Sequence, residues 1–478
     1  MNTTPLHFQT ISELARQLRS GDLSPVALTE HCLARMEALE PTLHAFRLPT
    51  PERAMATARA AEIALRAGQD LGPLHGIPYA VKDLFDIKGL PTTAGSDILR
   101  DHIAPEDASV TARLARAGMI LLGKTHTVQF AYGGVGINHH HGTPHNPWHQ
   151  TPHVPGGSSS GSGVAVAAGM VPMALGSDTG GSVRIPASLC GTVGLKTTVG
   201  QVSRAGVFPL SWSLDSVGAL TRSVEDAALV YQCIHGPDPL DPSTQGAECH
   251  DVMATLRRGV RGLRLAFAET AFWDHADAEV TRAVRQCGDV FANLGAQVEP
   301  IAFPEAADAL ALNPGGLVIA AEAYTIHRER LEAHADQYDP IISSRIIQGQ
   351  DIRAADYFQT TQAWDRLRQQ VAQTLLDVDA LLVPATMIPA KPTAAVDADT
   401  DAYVQHNLSY LRNTSIGNIL DLCGLSVPCG FTSEGLPIGL MIYTKPRHEA
   451  MLLRIGYAFE QATSWHLQMP NTSWIASS

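Results

Sequence analysis

The chain reads GSDTGGSVRIP at residues 176–186 and PGGSSSG at residues 155–161. The second of these stretches opens into VAVAA at residues 164–168, an apolar run of small residues. A flexible linker does not normally lead into a core element, so we interpret residues 156–163 as a buried loop. Around these stretches, short apolar runs alternate with glycine- and serine-rich turns, which is the pattern of βα units. This pattern predicts an α/β fold.

The flanking sequence divides the chain into further segments. Ser24-Pro25 is an N-cap followed by proline at the first helical position, which predicts a helix near the start. Strand character returns near the C-terminus, for example in ALLVP at residues 380–384. We expect a single domain over residues 1–478, built from a helical segment at 1–70, a core that carries the motifs at 71–236, a variable inserted region at 237–372 and a return to the core at 373–478.

Composition excludes several classes of protein. Of the 478 residues, 45% are hydrophobic and 17% are charged, so the chain can form a large core and is not intrinsically disordered. The formal net charge of −13 argues against nucleic acid or an anionic membrane as the main partner, because both require clustered lysine and arginine. The longest bland apolar run, residues 164–175, is too short to span a bilayer.

Two further features indicate the cytoplasm. The seven cysteines are widely scattered and form no C-x-x-C pair, which is typical of reduced and mostly buried thiols. Residues 1–16 lack a basic start followed by an apolar stretch, so we expect no signal peptide there and a cytoplasmic protein.

Two motif matches compete with the interpretation developed below. GMILLGKT at residues 118–125 fits G-x-x-x-x-G-K-[ST], but its middle residues are typical of a strand and the preceding segment is helical, the reverse of a P-loop. GSSSG at residues 157–161 fits the nucleophile elbow of an α/β-hydrolase, with Asp421 and His448 as candidate partners. A serine- and glycine-rich loop matches that pattern easily by chance, so the match alone is weak support.

A third combination is longer and more specific. GIPYAVKD at residues 76–83 is an apolar strand that ends in a single lysine, Lys82, and it precedes the two loops quoted first. With these three segments the sequence resembles the amidase signature family, which includes bacterial amidases, fatty acid amide hydrolase and the A subunit of glutamyl-tRNA amidotransferase. The likeness also includes GKT at 123–125, NPW at 146–148, LDSVG at 214–218, SVP at 426–428 and GLPIGL at 435–440. It is weakest between residues 237 and 372.

The resemblance implies a fold and a catalytic triad. The family fold is an α/β/α sandwich around a central mixed, mostly parallel sheet. Its members use a Ser–Ser–Lys triad in place of Ser–His–Asp. In that triad Ser182 matches the nucleophile, Ser158 matches the bridging serine with its cis peptide bond, and Lys82 matches the terminal base.

The chemistry of these residue types fits those roles. A serine hydroxyl is a poor nucleophile until a base takes its proton, and lysine is such a base only when it is neutral. Burial lowers a lysine pKa, by up to about 3–5 units for full burial. Lys82 lies among Ile77, Val81 and Phe85, which suits burial. Strand alternation should direct Asp83 to the opposite face.

The resemblance also implies an oxyanion hole and supporting residues. Glycine allows the backbone to approach the substrate closely, and backbone N–H groups stabilise the oxyanion. The N–H groups that match this role belong to Thr179, Gly180, Gly181 and Ser182. The residues that match supporting positions are Ser159, next to the bridging serine, and Asp178 and Arg184, which we interpret as structural.

The remaining candidate residues concern a substrate pocket and a metal site. We expect a pocket wall near the nucleophile from four side chains, Gln129, Phe130, Tyr132 and Trp212. Many family members carry an acidic residue where this chain has Gln129. Six histidines crowd residues 139–153 and suggest a metal site, but prolines interrupt any helix that could align them and no carboxylate lies among them. We therefore expect a loop near the active-site entrance, no metal and no cofactor.

The sequence thus predicts a hydrolase that cleaves a carboxamide C–N bond of a small molecule through an acyl-enzyme on Ser182. The same chemistry extends to anilides, esters and carbamates (urethanes), because the attacked group remains a polarised carbonyl. One alternative is the transamidating A-type component of a glutamyl-tRNA amidotransferase complex, although Arg184-Ile185-Pro186 departs from the Arg-Gln-Pro expected there. Another is a non-enzymatic binding protein on the same fold, which would have no use for a buried Lys82. The sequence leaves the oligomeric state open, a homodimer included.

Overall fold

An eleven-stranded sheet forms the centre of the computed structural model, which describes residues 4–475. Its strands lie in the order β1-β3-β2-β4-β6-β5-β10-β11-β9-β7-β8. The strands are β1 (Phe46–Pro49), β2 (Pro78–Lys82), β3 (Ile120–Thr125), β4 (Met173–Asp178), β5 (Val193–Lys196), β6 (Ser216–Thr221), β7 (Arg264–Glu269), β8 (Gln297–Ala302), β9 (Ala380–Pro384), β10 (Cys423–Phe431) and β11 (Pro437–Thr444).

The sheet is mixed, as predicted, but the expectation of a mostly parallel sheet is wrong. Parallel pairs are β2–β3, β2–β4, β7–β8 and β7–β9. Antiparallel pairs outnumber them and are β1–β3, β4–β6, β5–β6, β5–β10, β10–β11 and β9–β11. The reason is that β6 inserts between β4 and β5, antiparallel to both, and that β10 and β11 form a hairpin. Alternation of strands and helices along the sequence does not reveal such insertions.

Helices cover both faces of the sheet. The N-cap Ser24 accepts a hydrogen bond from the N–H of Ala27, so the predicted start of α2 is confirmed. The helices are α1 (Ile11–Ser20), α2 (Pro25–Leu43), α3 (Pro51–Arg66), α4 (Ser109–Arg116), α5 (Ser160–Ala167), α6 (Arg184–Cys190), α7 (Val224–Ile234), α8 (Met253–Leu256), α9 (Ala278–Asn293), α10 (Glu305–Ala311), α11 (Leu317–His334), α12 (Pro340–Ile347), α13 (Ala354–Thr374), α14 (Thr393–Val396), α15 (Thr400–Ile419) and α16 (Glu449–Gln461).

Strand alternation separates two hydrophobic cores. In β7, Leu265 and Phe267 belong to one core, whereas Ala266 and Ala268 belong to the other. Helices α9 and α16 contribute to the first core, and α13 and α15 contribute to the second. This is the α/β/α sandwich that the resemblance implied.

The region between residues 237 and 372 extends the same sheet. Its two strands, β7 and β8, lie at the end of the strand order, where β7 pairs in parallel with β9. No single helix among residues 4–475 combines the length and hydropathy needed to cross a membrane. One bent pair, Glu305–Ala311 with Pro314–Gln337 at 48°, meets that test in length and composition only.

The strand order brings the sequence motifs together. β2 and β4 are parallel neighbours, with Ala80 opposite Ala174 and Val81 opposite Leu175. The carboxyl ends of parallel strands meet at one edge of a sheet. Lys82 at the end of β2 and Asp178 at the end of β4 therefore reach the same edge, next to the loops that lead into α5 and α6.

Candidate active site

The carboxyl end of β2 carries a buried lysine that contacts two serines. Nζ of Lys82 donates hydrogen bonds to Oγ of Ser158 at 2.7 Å and to Oγ of Ser177 at 2.9 Å. The Lys82 side chain is fully buried. Its neighbour Asp83 forms an ion pair with Lys124 at 2.7 Å, so the Asp83 carboxylate is engaged elsewhere.

Burial sets the protonation of Lys82. Removal from water disfavours the charged ammonium and lowers the pKa of Lys82 from its ordinary value of 10.5 to about 7, while the carboxylates of Asp178 and Asp215 oppose this shift. At pH 7 roughly half of the Lys82 side chains are therefore neutral. A neutral amine can accept a proton, which a charged ammonium cannot.

The loop that holds Ser158 is packed backbone against backbone. The Gly157–Ser158 peptide bond is cis. The N–H of Gly157 donates to the carbonyl of Gly134 at 2.7 Å. A Cβ on Gly157 would lie 2.8 Å from the backbone nitrogen of Gly136, closer than a side chain allows. Glycine at residue 157 thus lets this loop bring Ser158 to Lys82.

Ser182 lies at the turn into α6, next to this loop. Its carbonyl accepts a hydrogen bond from the N–H of Ser159 at 3.2 Å, and Oγ of Ser159 donates to the carbonyl of Ser177 at 3.3 Å. Within the described part of the chain the Ser182 hydroxyl has no hydrogen-bond partner, so the contact to Ser158 that a proton relay needs is not made in this arrangement. Rotation about the Cα–Cβ bond is the movement open to either hydroxyl.

A buried carboxylate organises the turn that carries Ser182. Asp178 accepts hydrogen bonds from the N–H groups of Gly181 at 2.9 Å and Val183 at 3.1 Å, and it forms an ion pair with Arg184 at 2.9 Å. Burial alone would raise the pKa of Asp178, but the Arg184 guanidinium and the hydrogen bonds hold that pKa well below its ordinary value. Asp178 is therefore a permanent anion that fixes the backbone on both sides of Ser182.

This pairing changes the expectation for the oxyanion hole. The Gly181 N–H is used by Asp178, so it is not free to face a substrate. The N–H groups of Thr179, Gly180 and Ser182 have no protein acceptor among residues 4–475. The turn thus retains three free donors, and the Gly181 donor expected from the resemblance is replaced by a structural contact.

Residues of β11 and α15 form further hydrogen bonds with the Asp178–Arg184 pair. Arg184 donates to the hydroxyl of Tyr443 in β11 at 2.6 Å. The side-chain amide of Asn418 in α15 donates to Asp178 at 3.0 Å. All polar groups of this pair are buried, and each is matched by a partner of opposite charge or by a hydrogen bond.

Sequence reasoning missed two residues beside the lysine. Ser177 is the second partner of Lys82. Asp215 accepts a hydrogen bond from the Thr179 hydroxyl at 2.5 Å and from the N–H of Leu210 at 2.9 Å, and burial raises the pKa of Asp215. Both residues stand inside motifs quoted above, but only the pairing of β4 with β6 brings them to the site.

Two cavities reach the turn between β4 and α6. The smaller, of about 210 Å³, is lined by Ser177, Thr179, Trp212 and Asp215 among others. The larger, of about 600 Å³, is lined by Gly180 and by one face of α15. The turn therefore lies between a smaller cavity, which it reaches at Thr179, and a larger one, which it reaches at Gly180.

Of the four residues expected to form the pocket wall, one lines a cavity and three are packed in the protein interior. Trp212 lines the smaller cavity and is 50% exposed. Gln129, Phe130 and Tyr132 are buried in a short turn whose Ala131 lines the smaller cavity. The Gln129 amide donates to Ser96 at 3.0 Å and accepts from the N–H of Asp339 at 2.9 Å, so it is engaged in holding the fold.

The histidine-rich segment joins distant parts of the chain. His139 forms ion pairs with Asp339 and Asp397, and the hydrogen bond to Asp339 raises the pKa of His139 to about 9. His141 pairs with Asp97 at 3.0 Å. The carboxylates that the histidine segment lacks thus come from other segments. Among the residues from 4 to 475, no three histidine, cysteine or acidic side chains are grouped so as to hold a metal ion.

Comparison with known proteins adds independent findings. A family model described as Amidase matches residues 27–453. The chain is 38% identical over 453 residues to the 2-amino-5-chloromuconic acid deaminase of Comamonas testosteroni, a match that covers 94% of this chain and 95% of that protein. It is 38% identical over 494 residues to the A subunit of the glutamyl-tRNA(Gln) amidotransferase of Chloroflexus aurantiacus, a match that covers 98% of this chain and 99% of that protein. The crystal structure of peptide amidase from Stenotrophomonas maltophilia matches it with a TM-score of 0.84 at 30% identity, covering 98% of this chain and 100% of that one.

Proposed function

This chain belongs to the amidase family and is a hydrolase of amide C–N bonds, and from that premise we propose that it acts through an acyl-enzyme on Ser182. The observation that carries the proposal is the hydrogen bond of 2.7 Å between Lys82 and Ser158, in a site where burial lowers the lysine pKa to about 7. A buried lysine that is half neutral at pH 7 is a base poised for proton transfer.

In the acylation step, Oγ of Ser182 bonds to the carbonyl carbon of the substrate. Its proton passes to Oγ of Ser158, whose own proton passes to the neutral Nζ of Lys82. The negative charge that develops on the carbonyl oxygen is stabilised by the free N–H groups of Thr179, Gly180 and Ser182. When the C–N bond breaks, Lys82 returns its proton through Ser158 to the departing nitrogen, which leaves as a neutral amine.

Deacylation uses the same proton relay. Water attacks the ester carbonyl on Ser182, and its proton follows the same route to Lys82. As the C–O bond to Ser182 breaks, the proton returns to the serine and the carboxylic acid is released. Every proton taken up in this cycle is returned, so the enzyme needs no co-reactant besides water.

The experiment that tests this proposal compares substitutions within one loop cluster. Ser182→Ala should abolish hydrolysis of 4-nitroacetanilide and the acetyl mass increase that intact mass spectrometry detects during turnover. Ser160→Ala is the matched control, because the buried Ser160 hydroxyl has no hydrogen-bond partner among residues 4–475 and its loss should leave the rate unchanged. Full activity in Ser182→Ala would exclude the acyl-enzyme.

We extend the proposal to anilides, esters and carbamates, which present the same polarised carbonyl. With a carbamate the covalent species on Ser182 is a carbamoyl-enzyme, and water releases a carbamic acid. All of these activities should disappear together in Ser182→Ala, since they share one nucleophile. An esterase activity that survives this substitution would belong to another site.

A second candidate is an A-type component of a glutamyl-tRNA amidotransferase, and the relative from Chloroflexus aurantiacus favours it. Purification distinguishes the two functions. A hydrolase releases acid and amine from small amides as the isolated chain, whereas a transamidating component requires partner proteins and delivers ammonia to an acyl acceptor. We favour the hydrolase because Ile185 stands where glutamine is expected in the transamidating component.

We also propose a cytoplasmic protein. All seven cysteines are unpaired, and five of them are buried, which suits a reducing compartment. Fractionation of the source cells with an antibody against the chain tests this location.

A further inference from the structure

We propose that a cavity at the sheet edge opposite to Ser182 binds a small carboxylic acid as its anion, with the carboxylate held by Arg222 and Arg16 and an apolar body beside it. The cavity has a volume of about 520 Å³, which is within the usual range for small-molecule sites. Its lining comes from segments near the two ends of the described chain, residues 4–16 and 457–469, and from Arg222, Glu225 and Arg257 between them.

The cavity lies away from the catalytic residues. Arg222 directly follows β6, which runs antiparallel to β4 and pairs Thr221 with Met173. The carboxyl end of β6 is therefore at the edge where β4 begins, about 17 Å along the strand from Asp178. None of the three proposed triad residues lines the cavity. The inference is therefore independent of the proposed hydrolase mechanism.

Arg222 is a buried cation with donor groups that the protein does not use. It is 7% exposed and lines the cavity. Its Nη2 donates to the carbonyls of His466 at 3.1 Å and Gln468 at 3.3 Å, and its guanidinium lies over the Phe8 ring at 4.5 Å. Within residues 4–475, Nε and Nη1 have no acceptor. A bound carboxylate supplies the charge-assisted hydrogen bonds that these two donors lack.

The carboxyl groups near Arg222 give it only a partial counter-charge. Burial raises the pKa of Asp226 to about 7 and that of Glu460 to about 8. Each of them also binds a backbone group: Asp226 accepts from the N–H of Ile11 at 2.9 Å, and Glu460 accepts from the N–H of Val224 at 2.7 Å. At pH 7 the positive charge of Arg222 is therefore not fully balanced from within the protein.

The charges of the lining favour a monoanion. Arg257 is paired with Glu225 at 2.7 Å, and Glu13 caps the start of α1. Arg16 is exposed and has no hydrogen bond or ion pair with any residue from 4 to 475. Three arginines thus face two glutamates, which leaves one excess positive charge. A carboxylate complements this charge, whereas a phosphate of nearly two negative charges would also be repelled by the glutamates.

The remaining lining residues suit an apolar body next to the carboxylate. Phe8, Leu467 and Met469 line the cavity together with the ring of Tyr457. Leu467 is 56% exposed and Met469 is 37% exposed, so contact with a ligand would remove apolar surface from water. His466 adds no charge at pH 7, because burial and the nearby Arg222 lower its pKa to about 4.

Isothermal titration calorimetry with benzoate at pH 7 and constant ionic strength tests the inference. The wild type should bind benzoate more tightly than acetate, which lacks the apolar body, and more tightly than inorganic phosphate. Arg16→Glu should weaken benzoate binding by about tenfold or more, the usual effect of losing a hydrogen bond between charged groups. Arg59→Glu is the matched control, because Arg59 is an exposed arginine of α3 outside this cavity and its affinity should stay at the wild-type value.

A second variant tests the buried donor. Arg222→Met should abolish benzoate binding, and its thermal unfolding is recorded first because Arg222 also holds the carbonyls of residues 466 and 468. Arg16→Glu and Arg59→Glu alter exposed side chains and should unfold near the wild-type midpoint, so they test the site even if Arg222→Met does not fold.

Three outcomes would overturn the inference. The first is a wild type that does not bind benzoate. The second is an affinity for benzoate that is the same in Arg16→Glu and in the control, which would place the ligand at another site, such as the one around Ser182. The third is binding of acetate or phosphate as tight as that of benzoate, which would contradict a carboxylate with an apolar body.

Discussion

At the scale of single residues, the proposed role of Lys82 as the base predicts how the rate depends on pH. Only the neutral amine accepts a proton, so kcat/KM should rise with pH through an apparent pKa near 7 and level off above it. Lys82→Met should lower kcat by about 10²–10⁴, the usual contribution of a positioned base, and remove this ascending limb. Steady-state rates between pH 5 and pH 9 check both effects. An unchanged limb in Lys82→Met would assign the titration to another group.

The buried Asp178–Arg184 pair should contribute to stability as well as to the shape of the turn. Asp178→Asn leaves Arg184 buried without its counter-charge, so we expect the free energy of unfolding to fall by about 3–5 kcal/mol. Urea denaturation followed by fluorescence measures this loss. Asp356→Asn is the control, because Asp356 pairs with Arg353 on the surface and its loss should leave the midpoint almost unchanged. Equal losses in the two variants would contradict this role of burial.

The sequence could predict which residues meet at the site, but not how every backbone donor is used. Lys82 and Ser158 lie in contact, as their motifs implied. The Gly181 N–H is bound by Asp178, because the carboxylate that precedes the turn folds back onto it. Gln129 was expected in the pocket wall, but its amide holds Asp339, which lies 210 positions away in the chain. Hydrogen-bond partners this far apart leave no signal in a local motif.

At the scale of elements, helix α5 shows why glycine is required at a position where alanine is normally preferred. Alanine usually stabilises a helix interior relative to glycine, by roughly 0.5–1 kcal/mol. In α5, however, a Cβ on Gly161 would lie 2.2 Å from the carbonyl oxygen of Ala45. Gly161→Ala should therefore destabilise the protein, by about 1–3 kcal/mol for overpacking.

Thermal unfolding checks this prediction against Gly288→Ala in α9. A Cβ on Gly288 would meet the edge of the Phe267 ring at 2.8 Å, and a side chain can move away where a carbonyl oxygen cannot. The Gly288 variant should lose less stability than the Gly161 variant. The reverse order would show that the contact of Gly161 with the Ala45 carbonyl is relieved more easily than the contact of Gly288 with the Phe267 ring.

The individual elements were easier to predict than their arrangement. Lys82 ends a short apolar strand, β2, as the apolar run indicated. PGGSSSG leads into a buried element, as expected, but this element is a helix, α5, which already begins at Ser160 within the predicted loop. The direction of neighbouring strands was predicted wrongly, because β6 is inserted between β4 and β5 by a connection that the local sequence does not describe. Propensity acts within one segment, whereas strand order depends on which surfaces pack.

At the scale of the whole molecule, ion pairs of His139 connect three segments that are far apart in the sequence. It pairs with Asp339 before α12 and with Asp397 before α15. Its folded pKa, raised to about 9, exceeds its unfolded value of 6.5, so the pairs stabilise the fold fully below pH 6.5 and lose their effect as pH rises through 9. Because the side chain is about one-third exposed and therefore screened, we expect a contribution of roughly 1 kcal/mol.

Urea denaturation of His139→Ala and the wild type at pH 6 and pH 10 measures this contribution. The variant should be less stable at pH 6 and nearly equal to the wild type at pH 10. His149→Ala is the comparison, because the hydrogen bonds and the ring contact of His149 among residues 4–475 stay within its own segment, with His145, Thr151 and His153. A stability difference for His139→Ala that does not change with pH would contradict the ion pairs.

The contacts of Arg184 determine when, during synthesis of the chain, the turn around Ser182 can be stabilised. Its partners in α15 and β11 are Asn418 and Tyr443, which follow Arg184 by 234 and 259 positions in the chain. During synthesis, the turn around Ser182 therefore acquires this support only after Tyr443 has left the ribosome. Nascent chains that already carry Lys82, Ser158 and Ser182 should therefore remain inactive toward amides until β11 has emerged.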